Sequence, residues 1–414
     1  MFQDPPYRPT DVRMKGFPRR WTVRNCIDWI DKQTPECLSE TISLAKAAGR
    51  VLAADVTSKV NVPHFARAMM DGFAVVACDT SGATTYNSLK LNVIGQSLPG
   101  NPFSGEVSLG HTIRIMTGAP MPAGANAVLP VEHTVINDEV ILVQEEVAPG
   151  KHVGIPGEDI REDTVVLQRG RQLRPQDLGV LSSIGVSDLD VVKRPRVRLI
   201  ITGNELLPPG TTPENFNITD ANSPMLSALI ERDGGEVKHP GIIADNPNSI
   251  LDAFRTDAEI IVVSGGSSVG QEDHAPRLLA EYGSLEIHGV AMRPSSPSGM
   301  GTFDGNLVFL LPGNPVSCLC AYDFFAARAV RKLAGKSADW PHKVITLPLS
   351  RKLVSTVGRT DYARVNINNG FVEPIAISGA SVLSSTTRAD GFVIVPEDLE
   401  GYARDSEVTV YLYE

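Results

Sequence analysis

No excess of positive charge runs through this 414-residue chain: 38 lysines and arginines face 48 aspartates and glutamates, a formal net charge of -10. A nucleic-acid binder needs a basic face to neutralise phosphates, so the overall balance excludes that class and leaves only a local basic pocket open. Disulfide chemistry is short of material. The five cysteines, Cys26, Cys37, Cys78, Cys318 and Cys320, are odd in number, scattered and without zinc-ligand spacing. Cys318 and Cys320 lie too close in sequence for an ordinary bridge, in an apolar run that reads as helix. Buried reduced thiols follow, which points to the cytoplasm. A membrane span and a secretory leader are also missing, because the first residues are polar, with arginine and proline interspersed. The eight histidines show no metal-ligand spacing, and no Ser/His/Asp or Cys/His nucleophile arrangement is legible. What remains is an ordinary globular composition, 42% hydrophobic and 21% charged. The length is too great for one core, so at least two domains are expected.

The spacing of Ile27, Trp29 and Ile30, then Ile42, Leu44 and Ala45, predicts two amphipathic helices between Asn25 and Gly49. From Val51 to Pro156 glycines and prolines interrupt short β-like runs, such as Ala127-Val128-Leu129 and Glu139 to Val143, and predict a small β domain. Residues 157–194 return to helix and strand, so that β domain is expected as an insertion into a discontinuous first domain. From Pro195 to about Gly335 strands and helices alternate. Arg196–Ile201, Glu259–Val263 and Leu307–Leu311 read as strands. Helices are expected over 223–232, from Asn246, from His274, and from Pro315 to about Leu333. Such alternation predicts a largely parallel sheet covered on both faces, with ligands outside the carboxyl ends of its strands. From Trp340 onward the pattern is all-β, a small barrel or sandwich. The expected organisation is 1–60 with 157–194, an inserted β domain 61–156, an α/β domain 195–337 and a C-terminal β domain 338–414.

Three loops fall at that sheet edge: Thr202-Gly203-Asn204-Glu205, Ser264-Gly265-Gly266 through Ser268 and Gly270 to Asp273, and Pro312-Gly313-Asn314-Pro315 to Ser317. A strand that breaks into glycines and hydroxyls before a helix exposes backbone N–H groups where anions bind. The segments converge on an anionic small molecule. Carboxylates near turns are Asp71, Asp159, Glu205, Asp220, Asp245 and Asp273. Hard cations such as Mg²⁺ want such oxygens. Each reads equally as a cap or turn residue; that is the simpler reading at Asp71 and Asp159, whereas Glu205, Asp245 and Asp273 sit at strand ends of one sheet. Arg293-Pro294-Ser295-Ser296-Pro297 adds a planar guanidinium suited to an oxyanion, and Thr117 adds a hydroxyl.

In order along the chain, Met70-Asp71-Gly72-Phe73-Ala74-Val75, Arg114-Ile115-Met116-Thr117-Gly118-Ala119-Pro120, Gly157-Glu158-Asp159-Ile160, Thr202-Gly203-Asn204-Glu205-Leu206, Asp220-Ala221-Asn222, Ser264 to Asp273, Pro312 to Ser317, Gly358 to Val365 and Ser384-Ser385 resemble the MoeA/gephyrin family. The resemblance spans almost the whole chain. It implies an elongated homodimer whose active cleft lies between the central domain of one copy and the inserted domain of the other. It implies the reaction of adenylylated molybdopterin with molybdate, aided by Mg²⁺ or a similar divalent ion, to give molybdenum cofactor and AMP. Implied catalytic residues are Asp71, Asp159, Glu205, Asp273 and Arg293. Glu205, Asp245 and Asp273 would hold the metal. Substrate contacts would come from Thr117, Thr202, Gly203, Ser264, Gly265, Gly266, Ser268, Gly270, Ser296, Pro312, Gly313, Asn314, Pro315, Ser317, Arg364 and Ser384, with Arg359 as an alternative to Arg364. A molybdopterin adenylyltransferase and molybdoenzymes are implied partners.

Two segments depart from the family pattern. Where the family has Lys-Pro-Gly-Lys-Pro, this chain has Arg293-Pro294-Ser295-Ser296-Pro297, so one cation becomes arginine and the second becomes Ser296. Upstream of Met70 the usual Asp-Asn-Ser-Ala is Ala66-Arg67-Ala68-Met69, so Arg67 is expected to supply part of the missing charge. Two other readings remain beside the transferase: a molybdopterin adenylyltransferase, and a degenerate pterin-binding or scaffolding paralogue.

Overall fold

The structure, a computed structural model, describes residues 17, 20–266, 273–376 and 379–413. The chain divides into two compact units, one formed by 1–40 with 192–414 and the other by 41–191.

The second unit is built on a six-stranded sheet. Its order is Ala127–Pro130, Gly72–Val75, His111–Ile115, Leu89–Ser97, Val140–Val143 and Thr134–Asn137. The pleat sends alternate residues of Gly72–Val75 to opposite faces. Phe73 and Val75 join Leu91, Leu129 and Ile141 on one side. Ala74 joins Ile113, Ile115 and Val128 on the other. A separate core collects Ala47 and Leu52 with Leu167, Leu173, Leu181, Leu189 and Val191, around the helix Pro175–Ser183.

In the first unit the alternating segment folds as a seven-stranded sheet. The order is Glu236–Lys238, Arg196–Thr202, Ile260–Ser264, Asn306–Leu311, Gly299–Phe303 and Ser284–His288, with Ile242–Ile243 also beside Arg196–Thr202. Arg196–Thr202, Ile260–Ser264 and Asn306–Leu311 are parallel to one another. Their residues are apolar on both faces because both are covered. Val197, Leu199, Ile260, Val262 and Phe309 meet the helix Asn222–Asp233 and the segment Val316–Leu333. Ile200, Ile261, Val263, Val308 and Leu310 meet the helices Pro247–Phe254 and His274–Tyr282. A second six-stranded sheet follows, comprising Val344–Pro348, Thr360–Asn368, Phe371–Ala376, Gly391–Val395 and Glu407–Leu412 with Met292–Arg293 as a parallel edge partner. Its rings Tyr362, Phe392 and Tyr411 stack at 4.3 and 5.2 Å.

Three expectations change. Only one helix, Val23–Gln33, occupies the 25–49 region, where Ser39–Ser43 is a strand and Leu44–Lys46 a single 3₁₀ turn. Pro35 after Thr34 ends the helix, and Leu44 donates its N–H to the Ser187 carbonyl instead (2.8 Å). The sheet's far edge is antiparallel: Gly299–Phe303 and Asn306–Leu311 form a hairpin whose turn, Asp304-Gly305, has φ of 48° and 83°. Finally, the helix after Pro315 is interrupted by a π-helical stretch, Tyr322–Ala326, before resuming at Ala327–Leu333. Among the described residues no helix is long and apolar enough to cross a membrane.

Candidate active site

A cavity of about 570 Å³ opens at the carboxyl ends of the three parallel strands. It brings together Thr202, Gly203, Glu205, Asp245, Ser264, Gly265, Gly266, Asp273, Pro312, Gly313, Asn314 and Pro315. Backbone demands explain the glycines that matter most. Gly265 has φ of 100°, and a Cβ there would meet the Thr202 carbonyl oxygen at 2.1 Å. No other residue lets the Ser264 strand end press against its neighbour. Ser268 and Gly270 lie outside the described residues.

The electrostatics of the cavity are acidic. Thr202 Oγ1 donates to Asp245 Oδ1 at 3.1 Å, and the Asp245 N–H donates to Asn204 Oδ1 at 3.2 Å. Burial pushes the Asp245 carboxyl above its ordinary value. The neighbouring Asp273 and Glu205 charges add to that rise, and the Thr202 bond and His274 offset it only in part. Like charges gathered this closely favour protonation or a cation. Among the described residues no three His, Cys, Asp or Glu side chains close into a metal-ligand set.

Among the cavity residues that sequence reasoning did not assign as contacts are Asp220, Asn222, Pro297 and Ser381. Asp220 is only 4% exposed and Asn222 8%. Asp220 Oδ1 accepts from the N–H groups of Asn222 (2.8 Å) and Ser223 (3.0 Å), capping the helix Asn222–Asp233. Asn222 Nδ2 donates to Ser264 Oγ (2.9 Å) and to the Gly313 carbonyl (2.8 Å), tying two strand ends together. Asp220 Oδ2 and Asn222 Oδ1 are buried without a hydrogen-bond partner. The Asp-x-Asn spacing before a helix was the available signal, but it also describes a plain cap.

Other predicted residues stand away from the cavity lining. Arg293 Nη2 donates to Asp361 Oδ2 at 2.7 Å, and Arg359 Nε donates to the same carboxylate at 3.0 Å. Asp361 is fully buried and also accepts from Ser355 Oγ at 2.8 Å. Ser296 Oγ is buried without a partner. Ser317 is 4% exposed, and its carbonyl accepts from Ser295 Oγ at 2.6 Å. Arg364 is completely buried, with Nη2 4.0 Å from where a Gly379 Cβ would stand. One residue beyond Gly379, the Ala380 carbonyl accepts from the Val316 N–H at 2.9 Å, and Ser381 reaches the cavity rim. Ser384 is exposed at the start of the short helix Ser384–Thr387.

Asp71, Thr117 and Asp159 belong to the second unit. Asp71 Oδ1 accepts from the Thr117 N–H (2.7 Å) and Oγ1 (2.9 Å), and these bonds hold the Asp71 carboxyl below the usual range. Asp159 is exposed on a turn whose backbone N–H donates to the Val62 carbonyl at 3.1 Å. Beside it, Glu158 Oε1 accepts from Arg67 Nη2 at 2.9 Å.

Residues 21–185 match the MoeA N-terminal region (domains I and II), residues 198–332 a probable molybdopterin-binding domain, and residues 346–413 the MoeA C-terminal region (domain IV). The molybdopterin molybdenumtransferase 2 of Mycobacterium tuberculosis is 33% identical over 390 residues, covering 91% of this chain and 95% of that one. The chain belongs to the MoeA family. A molybdopterin molybdenumtransferase of Haemophilus influenzae is 30% identical over 384 residues, covering 90% and 93%. A crystal structure of the molybdopterin biosynthesis MoeA protein from Pyrococcus horikoshii superposes with a TM-score of 0.83 at 29% identity, covering 96% of this chain and all of that one. The MoeA matches thus cover, along the sequence, the cavity-bearing segment and the segments that precede and follow it.

Proposed function

We propose that this chain is a molybdopterin molybdenumtransferase, which takes adenylylated molybdopterin and molybdate to molybdenum cofactor and AMP. The observation that carries the reading is the cavity at the parallel strand ends, where glycine turns and the carboxylates of Glu205, Asp220, Asp245 and Asp273 face one space. Its glycines allow a phosphate ester to approach the backbone, as at other strand-to-helix anion sites. The carboxylates would repel that ester on their own. Mg²⁺ fits this donor set, which consists of hard oxygens with Asp245 pushed up by its acidic neighbours. One or two of Glu205, Asp245 and Asp273 would hold such an ion through their carboxylate oxygens. When bound, it supplies neutralisation of the charge that develops as the anhydride breaks.

Molybdate is assigned to the neighbouring hydroxyls and cations: Ser296, Ser317, Ser384 and Arg364. Arg293 and Arg359 share Asp361, so two guanidiniums against one carboxylate offer one net positive charge to the anion. Arg67 has its charge answered by Glu158, and Arg364, completely buried, is assigned the part of the absent lysine. A cytoplasmic homodimer is proposed in which Asp71, Thr117 and Asp159 of one copy act on substrate held by the other. An adenylyltransferase would supply its substrate and molybdoenzymes would take its product.

The test incubates the purified chain with adenylylated molybdopterin, molybdate and Mg²⁺, following AMP release and reconstitution of a cofactor-free molybdoenzyme. Both signals are expected to saturate with molybdate. Absence of cofactor at every molybdate concentration would sink the assignment.

A further inference from the structure

Two acceptor atoms in the cavity have nothing to accept. Asp220 and Asn222 are more than nine-tenths buried and line the cavity, yet Asp220 Oδ2 and Asn222 Oδ1 lack partners. The Asn222 amide is not simply turned the wrong way round. Its Nδ2 must face the Gly313 carbonyl, which can only accept, so Oδ1 is the orphan. A buried acceptor left unmade costs about 1–3 kcal/mol, so each such group calls for an occupant. The occupant must present donors, and at least two, since the orphans sit two residues apart on one turn that is itself fixed by the Asn222 N–H to Asp220 Oδ1 bond.

We infer that Asp220 and Asn222 read the 2-amino-4-oxo edge of the pterin ring. The inference rests on the proposed function and adds which end of the substrate lies where. Phosphate and molybdate offer oxygens, which are acceptors. Adenine pairs its single amino donor with ring-nitrogen acceptors on either side. The pterin edge carries adjacent donors, the ring N3–H and the exocyclic 2-amino group, which match two acceptors. A ribose diol also brings two donors, but the surrounding walls suit a flat ring: Pro297, Pro312 and Pro315 line the same space. Gly313, where a Cβ would stand 3.6 Å from Gly265 Cα, leaves the room between them open.

The experiment compares 6-hydroxymethylpterin phosphate with 6-hydroxymethyllumazine phosphate, in which a carbonyl replaces the 2-amino group. Binding to the full chain is followed by calorimetry. The native chain is expected to prefer the pterin by about ten- to a hundredfold, the effect of one buried mismatch. Asp220→Asn keeps an oxygen for the helix cap and turns the orphan acceptor into a donor, so it should erase or reverse that preference. Equal affinity of the native chain for the two ligands, or binding of neither, overturns the inference. So does a loss of AMP binding in Asp220→Asn with the pterin preference intact, which would place the ribose there. In each overturning result AMP release in the turnover assay tells whether the transferase reading stands without it.

Discussion

Asp71 and Asp245 are carboxylates moved in opposite directions by their surroundings, and each makes a separate prediction. Asp71 is held low by two bonds from Thr117. A lowered carboxyl stabilises the folded form above its unfolded value, and that contribution is lost as pH falls through the folded one. Removing the hydroxyl in Thr117→Val should therefore raise the Asp71 value and shift the acid limb of the kcat/KM profile to higher pH. A pH–rate series on the two proteins checks it, and an unmoved limb removes Asp71 from the ionised machinery. Asp245 is raised by burial and by its acidic neighbours. The folded state then binds a proton more readily than the unfolded state, so this carboxyl lowers stability once pH exceeds the unfolded value. Asp245→Asn is expected to raise the thermal midpoint of the metal-free protein while weakening Mg²⁺ binding at least about tenfold, as active-site residues often trade stability for function. Calorimetry in buffers of different ionisation heat should also show Mg²⁺ releasing protons from the native chain more than from the variant.

At the scale of elements, the turn after Ile260–Ser264 and the π-helical stretch carry the sharpest expectations. Gly265→Ala forces a Cβ against the Thr202 carbonyl at 2.1 Å with φ of 100°, which should cost about 3 kcal/mol of stability. Gly313→Ala meets only ordinary contact at 3.6 Å; it should fold as the native chain does and lose substrate affinity, and denaturant melts beside a binding isotherm separate the two effects. In the π stretch, Asp323 is buried, which on its own would raise its carboxyl, but His342 and Arg232 bring it below the ordinary range. Asp323→Ala removes the carboxylate bonded to Arg232 at 2.8 Å and leaves Arg232 and Arg331 to share the buried Asp233, which should cost about 3–5 kcal/mol. Much of this organisation was legible in the sequence because glycine, proline and aspartate punctuate the parallel strands where the cavity opens. Gly265 and Pro312 marked strand ends, and Glu205, Asp245 and Asp273 did come to one cavity. The Asp304-Gly305 hairpin went unread because its first strand, Gly299-Met300-Gly301, has almost no β-branched residues. Ile42 and Leu44 carried helical spacing, but backbone pairing to a distant segment decided their conformation. Asp220 reads as a turn carboxylate and Asn222 only within its family segment, since the same two residues cap a helix and line the cavity. That Arg293 would turn to Asp361 had no local signal, because the two are 68 residues apart.

For the whole molecule, the proposed sharing of one cleft between two copies has a direct genetic test. Asp71→Ala and Glu205→Ala should each be inactive alone. Mixed and allowed to exchange subunits, they should recover roughly a quarter of native activity, since half the dimers are mixed and one cleft in each is intact. No recovery, with exchange verified by mass spectrometry, argues that every copy works by itself. The Asn222 amide, which joins Ser264 to Gly313 while leaving its own oxygen unanswered, has a consequence for how the protein leaves the cell. Two buried acceptors without partners cost free energy until a donor reaches them. Any small heterocycle bearing paired N–H groups will be retained in preference to water. Freshly isolated protein should therefore carry a fluorescent passenger, which acid extraction will release and dialysis will remove only slowly.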